Sequence, residues 1–382
     1  MRRNVGCQTS YMVRAESYKG RDRVLLKKNL ICIVGVLAAV LVARAEELPG
    51  GAVNGERYRI FISTDIGGWD DDDYQSLAHY FLYGDLFDTE GLIASPPGPG
   101  MVEHIHKMID LYEADYPKLA RYSDEYPTPA FYRAITKQGE QEPFFYGYDY
   151  IDREKTKVYP TPSEGARWLI QCAMRPDVDK RPLYVLVWGS PTDLAYALRH
   201  APQIKKNIRV IYLAGWNEQQ DPTSIQYIEE NHKDLWVVQD MYGFQGLRLG
   251  GNQEGDLGNF SFMQTHIKGH GAMNDYIALL KNGEVKMGDT PTVLYMLKGT
   301  PTDPTKPSWG GRFEKRDEEE FPNWYVNVRD PEFMIYQKRA WASEWWGAKT
   351  VSRWREDLLR DWQYRADRLI HAPEDAPATT PK

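Results

Sequence analysis

Tyr58-Arg-Ile-Phe-Ile-Ser-Thr64 runs directly into Asp65-Ile-Gly-Gly-Trp-Asp-Asp-Asp-Asp73. The first seven residues are short, β-branched or aromatic, mostly apolar and free of turn formers, which predicts a strand ending at Asp65. Gly67-Gly68 make a turn, and Tyr74 to Tyr83 reads as a helix with Leu77, Ala78, Phe81 and Leu82 on one face. The carboxylates from Asp70 to Asp73 then fall in the loop and the first helical turn. There the free N–H groups and the helix dipole favour negative charge by roughly 0.3–1 kcal/mol each. Five carboxylates in nine residues still repel one another. A hard divalent cation with all-oxygen coordination suits such a cluster, and calcium takes roughly 6–8 oxygens. An EF-hand is excluded, because a loop begun at Asp70 puts Gln75 at the glycine position and Phe81 at the final glutamate. An acidic, solvated helix start with Asp as N-cap is the alternative reading.

The run from Ser63 to Asp73 resembles the Asp-Thr-Asp-x-Gly-x-Asp-Asp signature of the nucleoside hydrolases, with one residue inserted. The continuation Tyr74-Gln-Ser-Leu77, with Phe87-Asp-Thr-Glu-Gly-Leu-Ile-Ala-Ser95, is similar to a divergent branch, the nucleoside-hydrolase-like domain of cellulose-binding proteins. The resemblance implies that Asp65 and Asp73 hold Ca2+ and that Asp72 is the general base. It also leaves room for a homo-oligomer.

Residues 1–45 read as a secretory leader. A basic stretch ending in Lys27-Lys28 precedes the apolar run Leu30 to Val42, and Ala43-Arg44-Ala45 fits a small-x-small cleavage site. Thirteen residues are short of the roughly 20 a membrane span needs. Export to the periplasm or the extracellular space is therefore expected, with no stable membrane insertion after cleavage. The leader holds nine Lys/Arg and two Asp/Glu, so losing its net +7 takes the chain from −7 to −14. That charge disfavours nucleic acid and anionic lipid as partners. Cys7 and Cys32 lie in the leader and leave only Cys172, too few for an intrachain disulfide.

Residues 46–371 read as one α/β domain, and 372–382 as a disordered tail by composition. A second strand, Glu90 to Ala94, precedes the turn at Ser95. A helix from Met101 follows, on which His104 and His106 point apart and read as surface histidines. Residues 115–160, rich in Tyr, Pro and charge, read as a long irregular excursion, and their aromatic run Phe144 to Tyr150 suits either sugar stacking or packing onto the domain. Thr161-Pro-Ser-Glu164 reads as a capping box opening a helix to about Met174. Strands follow at Leu183 to Trp188, Ile208 to Gly215 and Leu235 to Gln239. Alternating strands and helices predict a three-layer, doubly wound, largely parallel sheet, whose ligands bind beyond the carboxyl ends of the strands. Asp65, Ser95, Gly189 to Thr192, Trp216 and Asn217 all fall at such ends.

Gly189-Ser-Pro-Thr-Asp-Leu-Ala195 is similar to the nucleoside hydrolase segment Gly-Pro-Leu-Thr-Asn-Leu-Ala, which implies that Thr192 lends its backbone carbonyl to calcium. The alternative is an ordinary βα turn with Asp or Thr capping the helix. Asp289, before a helix with Pro291 in its first turn, matches the aspartate that closes the calcium site in that family. Gly288 stands where the family has its leaving-group histidine, and the ribose-gripping Asn-Pro-x-Ala-Glu-Phe-Asn stretch is absent. His270 or His266 is a substitute for that histidine; a generic loop role is the competing reading. Trp69, Asp70, Ser95, Trp188, Trp216, Asn217 and His270 are the expected substrate contacts. Trp309-Gly-Gly-Arg-Phe313 and Trp354 to Trp362 extend the similarity to about residues 57–370.

Together these readings predict an exported, Ca2+-dependent hydrolase of an N- or O-glycosidic bond, acting on a small nucleoside or riboside. A weak or inactive carbohydrate-binding protein using the same pocket is the alternative, and a purely structural calcium site is a third.

Overall fold

The computed structural model describes residues 48–68, 70–96, 100–141, 162–177, 179–339 and 342–375. The strands of its main sheet are β1 (Tyr58–Thr64), β2 (Phe87–Ala94), β3 (Thr136–Gln138), β4 (Leu183–Val187), β5 (Ile208–Leu213), β6 (Val237–Asp240), β7 (Phe313–Lys315) and β8 (Trp324–Asn327), and a separate antiparallel pair joins Ile335–Tyr336 to Glu344–Trp345. The main sheet has the order β3-β2-β1-β4-β5-β6-β8-β7. All neighbours are parallel except the edge pair β7–β8. The helices are α1 (Asp72–Leu82), α2 (Val102–Leu119), α3 (Pro129–Ile135), α4 (Glu164–Met174), α5 (Thr192–His200), α6 (Gly215–Gln220) and α7 (Pro222–Asn231). The later ones are α8 (Gly243–Leu249), α9 (Asn259–Phe262), α10 (Ala272–Ile277), α11 (Thr290–Leu297), α12 (Lys349–Ser352) and α13 (Arg355–Asp367).

The alternation along β1 creates the layers. Ile60 and Ile62 point to a core shared with Leu77 and Phe81 of α1, Ile105 of α2, Leu294 of α11 and Trp362 of α13. Phe61 points the other way, to Leu169 of α4, Leu194 of α5 and Ile225 of α7. These side chains are fully or almost fully buried. Each contributes roughly 1.5–3 kcal/mol relative to exposure. The three-layer, doubly wound expectation holds.

Strand order reverses between β2 and β4, on either side of β1, where a crevice opens beyond the carboxyl ends of the strands. Thr64 pairs with Ala94 and Ser63 with Val187, so Asp65, Ser95 and Trp188 emerge at one level. Gly189 allows that convergence, because a Cβ there would lie 2.8 Å from the Asp65 Cβ.

Several element boundaries differ from the sequence reading. Helix α1 starts at Asp72, and every residue of it is buried, so it is a central helix without a solvent face. Helix α4 begins at Glu164 and is capped by Ser163, whose hydroxyl accepts the Ala166 N–H at 2.9 Å; Thr161, the expected cap, lies outside the described residues. The excursion after residue 115 contains the end of α2, then α3 and β3. His104 is half-buried and bonded through Nδ1 to the Tyr74 hydroxyl at 2.6 Å, so it is not a free surface histidine. The aromatic run 144–150, Trp69, residues 1–45 and the end of the tail lie outside the described residues.

Candidate metal and catalytic centre

Four aspartates meet at the mouth of the crevice. Asp65 follows the last residue of β1, Asp72 and Asp73 form the first turn of α1, and Asp289 immediately precedes α11. Carboxylate oxygens of Asp72, Asp73 and Asp289 all lie within 4.8 Å of one another. The Asp65 and Asp73 carboxyls are within hydrogen-bond reach. Asp72, Asp73 and Asp289 are 7%, 4% and 4% exposed, which removes the solvated-helix-start reading. Asp71, at the N-cap position, makes no side-chain cap bond.

Buried like charges raise one another's pKa. Burial first, then the Asp73 charge, pushes Asp72 up to about 7, against the pull of Lys281 and the Gly288 N–H. Burial pushes Asp73 up to about 6 against its bond from the Thr64 hydroxyl. Asp65 and Asp289 are raised well above the usual carboxylate range, by burial and then by Asp73 and Asp72. Asp289 Oδ2 is buried with no hydrogen-bond partner. A ring of crowded, hard oxygen donors with one orphaned atom fits a divalent cation such as calcium.

Sequence reasoning missed the cation already beside this ring. Lys286 Nζ lies 3.2 Å from Asp72 Oδ2 and also pairs with Asp70 Oδ2, while Lys281 pairs with Asp70 Oδ1 at 2.5 Å. Burial lowers Lys286 to about 8, and the charges of Asp289 and Asp65 oppose that fall. Nothing in the sequence around Lys286 reveals which way it points; its place three residues before Asp289 was the available signal.

The other expected site residues take varied positions. Trp188 is fully buried, and its indole N–H donates to Thr292 Oγ1 at 2.7 Å. Asn217 Nδ2 donates to the carbonyls of Trp188 and Leu213, while Trp216 is 46% exposed. Ser95 is buried and donates to Asp193 Oδ2 at 2.6 Å. Thr192 donates its hydroxyl to Asp221 Oδ2 at 2.7 Å, and neither it nor Asp193 caps α5 through its side chain. His270 pairs with Asp367 of α13 at 3.2 Å, and His266 bonds Asp256 at 2.7 Å; neither has a bond to the aspartate ring. Gly288 donates its N–H to Asp72 Oδ2 at 3.0 Å, and a Cβ at 288 would fall 1.9 Å from that oxygen. A side chain there would have to displace the Asp72 carboxylate or the segment itself.

Residues 59–313 match the family described as cellulose-binding Sde182, nucleoside hydrolase-like domain. No curated protein is detectably similar in sequence. Among solved structures, one similar fold is a nucleoside hydrolase-related hypothetical protein from Saccharophagus degradans associated with carbohydrate metabolism. It is 20% identical, with a TM-score of 0.61 over 84% of this chain and 74% of that one. The effector protein XOO4466 is 11% identical, with a TM-score of 0.52 over 83% of this chain and 95% of its own. An inosine-guanosine nucleoside hydrolase is 15% identical, with a TM-score of 0.43 over 65% of this chain and 80% of its own. At such identities the structural likeness concerns the fold alone.

Proposed function

This chain belongs to the nucleoside hydrolase-like domain family of cellulose-binding Sde182, and on that footing we propose that it is a calcium-dependent hydrolase of an N- or O-glycosidic bond in a nucleoside- or riboside-type substrate. The observation that carries the reading is the buried ring of Asp72, Asp73 and Asp289 with Asp65 against it. Asp65, Asp73 and Asp289, with the Thr192 carbonyl, are the residues that would hold calcium. Bound there, the ion would supply positive charge that acidifies and orients a water and engages a sugar diol.

The chain's own residues supply the rest. Cleavage at an anomeric carbon passes through an oxocarbenium-like state, with water attacking the face opposite the leaving group. Asp72 takes the proton of that water. Its Oδ2 is committed to Lys286 and the Gly288 N–H, so Oδ1 is the oxygen that receives it. General-base assistance of this kind contributes about 10²–10⁴-fold. Trp216, exposed after β5, offers a face on which a sugar or base ring can stack.

A second reading, carbohydrate binding without turnover, is favoured by Gly288, which leaves no side chain at the position of the family's leaving-group histidine. Calcium titration calorimetry on the parent and on Asp65→Asn tests the metal. Release of sugar from a riboside panel, with and without chelator and with Asp72→Asn, tests the chemistry. Calcium uptake by the parent alone, with release lost on chelation and in Asp72→Asn, is the expected result. Calcium uptake with ligand binding but no release establishes the second reading, and no uptake removes the hydrolase. We also propose export as the setting; no helix among the described residues is long and apolar enough to cross a membrane.

A further inference from the structure

One face of α1 receives the backbone of the segment that carries Asp289. Gln75 Oε1 accepts the N–H groups of Lys286 at 3.0 Å and Met287 at 3.1 Å, while its Nε2 donates to the Glu284 carbonyl at 2.9 Å. Asp72 Oδ2 accepts the Gly288 N–H at 3.0 Å, and Ser76 Oγ accepts the Asp289 N–H at 3.3 Å and the Thr290 hydroxyl at 3.0 Å. Four consecutive amides, from 286 to 289, are thus taken up by residues 72, 75 and 76, which the helical repeat places on one face.

The segment is held in an unfavourable shape. Met287 has φ of 46°, a left-handed conformation that a residue with a Cβ adopts only when its surroundings impose it. Gln75 is fully buried, and its amide grips the chain leading into Met287, from the Glu284 carbonyl to the Met287 N–H. A neutral amide, offering one acceptor and two donors, does this without adding a charge beside the aspartates.

From this geometry we propose that Gln75 is a positioning residue for the acidic ring. It fixes residues 284–288 in the strained path that delivers the Gly288 N–H to Asp72 and brings Asp289 into the ring. The proposal rests on the ring being the functional site, and calcium affinity is where the consequence appears. Residues that orient metal ligands typically cost about 10–100-fold in affinity when removed.

Hydrogen exchange over residues 284–290, read without and with calcium, decides it, using Gln75→Met, the milder Ser76→Ala and, as a control, Tyr83→Phe. The control removes a buried bond from the C-terminal end of α1 to Asp361, 2.6 Å long in the parent and remote from this segment. Slow exchange in the parent and the control, with at least tenfold faster exchange in Gln75→Met and faster exchange in Ser76→Ala, is expected. Calcium affinity falls about tenfold or more in Gln75→Met and holds in Tyr83→Phe. Unchanged exchange in Gln75→Met overturns the proposal, as does an equal acceleration in Tyr83→Phe. Should Gln75→Met fail to fold, unchanged exchange in Ser76→Ala overturns it as well. A parent that binds no calcium removes the hydrolase reading, while the exchange measured without calcium still decides the clamp.

Discussion

Gly288 marks a choice between two ways of using one position. The resemblance to nucleoside hydrolases implies a histidine there; here Asp72 Oδ2 lies 1.9 Å from where a Cβ would stand. Even Gly288→Ala must displace the carboxylate or the segment. Overpacking of this kind costs about 1–3 kcal/mol. The expected outcome is a lower midpoint in urea unfolding together with weaker calcium binding by calorimetry, so reinstating the family histidine should impair the site. Lys286 makes the complementary case. Its ammonium offsets the aspartate charges and also opposes an arriving cation. Lys286→Met is therefore expected to lower the melting temperature of the chelated protein and to tighten calcium binding by about tenfold, which corresponds to 1.4 kcal/mol of removed repulsion. A melting temperature unchanged under chelator, with unchanged affinity, would show that Lys286 is a bystander.

At the scale of elements, the turn before α4 is tied to the first turn of α5. The Ser163 hydroxyl caps α4 through the Ala166 N–H and donates to Asp193 Oδ1, while Ser95 holds Asp193 Oδ2. Ser163→Ala removes a cap worth about 1 kcal/mol and a bond to a buried carboxylate worth about 1.5–3 kcal/mol. A loss of roughly 2 kcal/mol or more in urea unfolding is expected, with calcium affinity unchanged because Asp193 is not among the proposed ligands. This cap also shows why boundaries were harder to read than elements. The strands β1, β4 and β5 were legible because β-branched runs bounded by turn residues admit few alternatives. Thr161-Pro-Ser-Glu164 reads as a capping box opened by Thr161, yet the helix begins at Glu164 behind Ser163, whose hydroxyl also reaches Asp193, a partner that only the fold supplies. In the same way, Asp65, Asp72 and Asp73 announced themselves by crowding along the chain. Gln75, Ser76 and Lys286 carry no such local mark; their roles arise from contacts more than two hundred residues apart, which only the fold creates.

For the whole molecule, the ring couples protonation, calcium and stability. Without calcium, folding raises Asp72 to about 7 and Asp73 to about 6, both from the ordinary 3.8. Asp65 and Asp289 are raised as well. Between those limits the native state binds more protons than the unfolded chain, so the slope of stability against pH is negative. This contribution is fully present below 3.8 and is lost as pH rises through 6 to 7. Lys286, lowered to about 8 from 10.5, has the opposite sign, because above 8 the unfolded chain is the better proton binder. Calcium displaces the ring's protons and replaces their stabilisation with its own, and does so with less competition as pH rises. In scanning calorimetry under chelator, the melting temperature should therefore fall by several degrees from pH 5 to pH 7.5. The increment produced by saturating calcium should grow over the same interval. Asp289→Asn takes one acid from the ring, so it should flatten the chelated profile and shrink the calcium increment together. If the parent keeps one melting temperature across that range and gains nothing from calcium, the ring neither binds protons unusually nor holds the ion, and the hydrolase loses its physical basis.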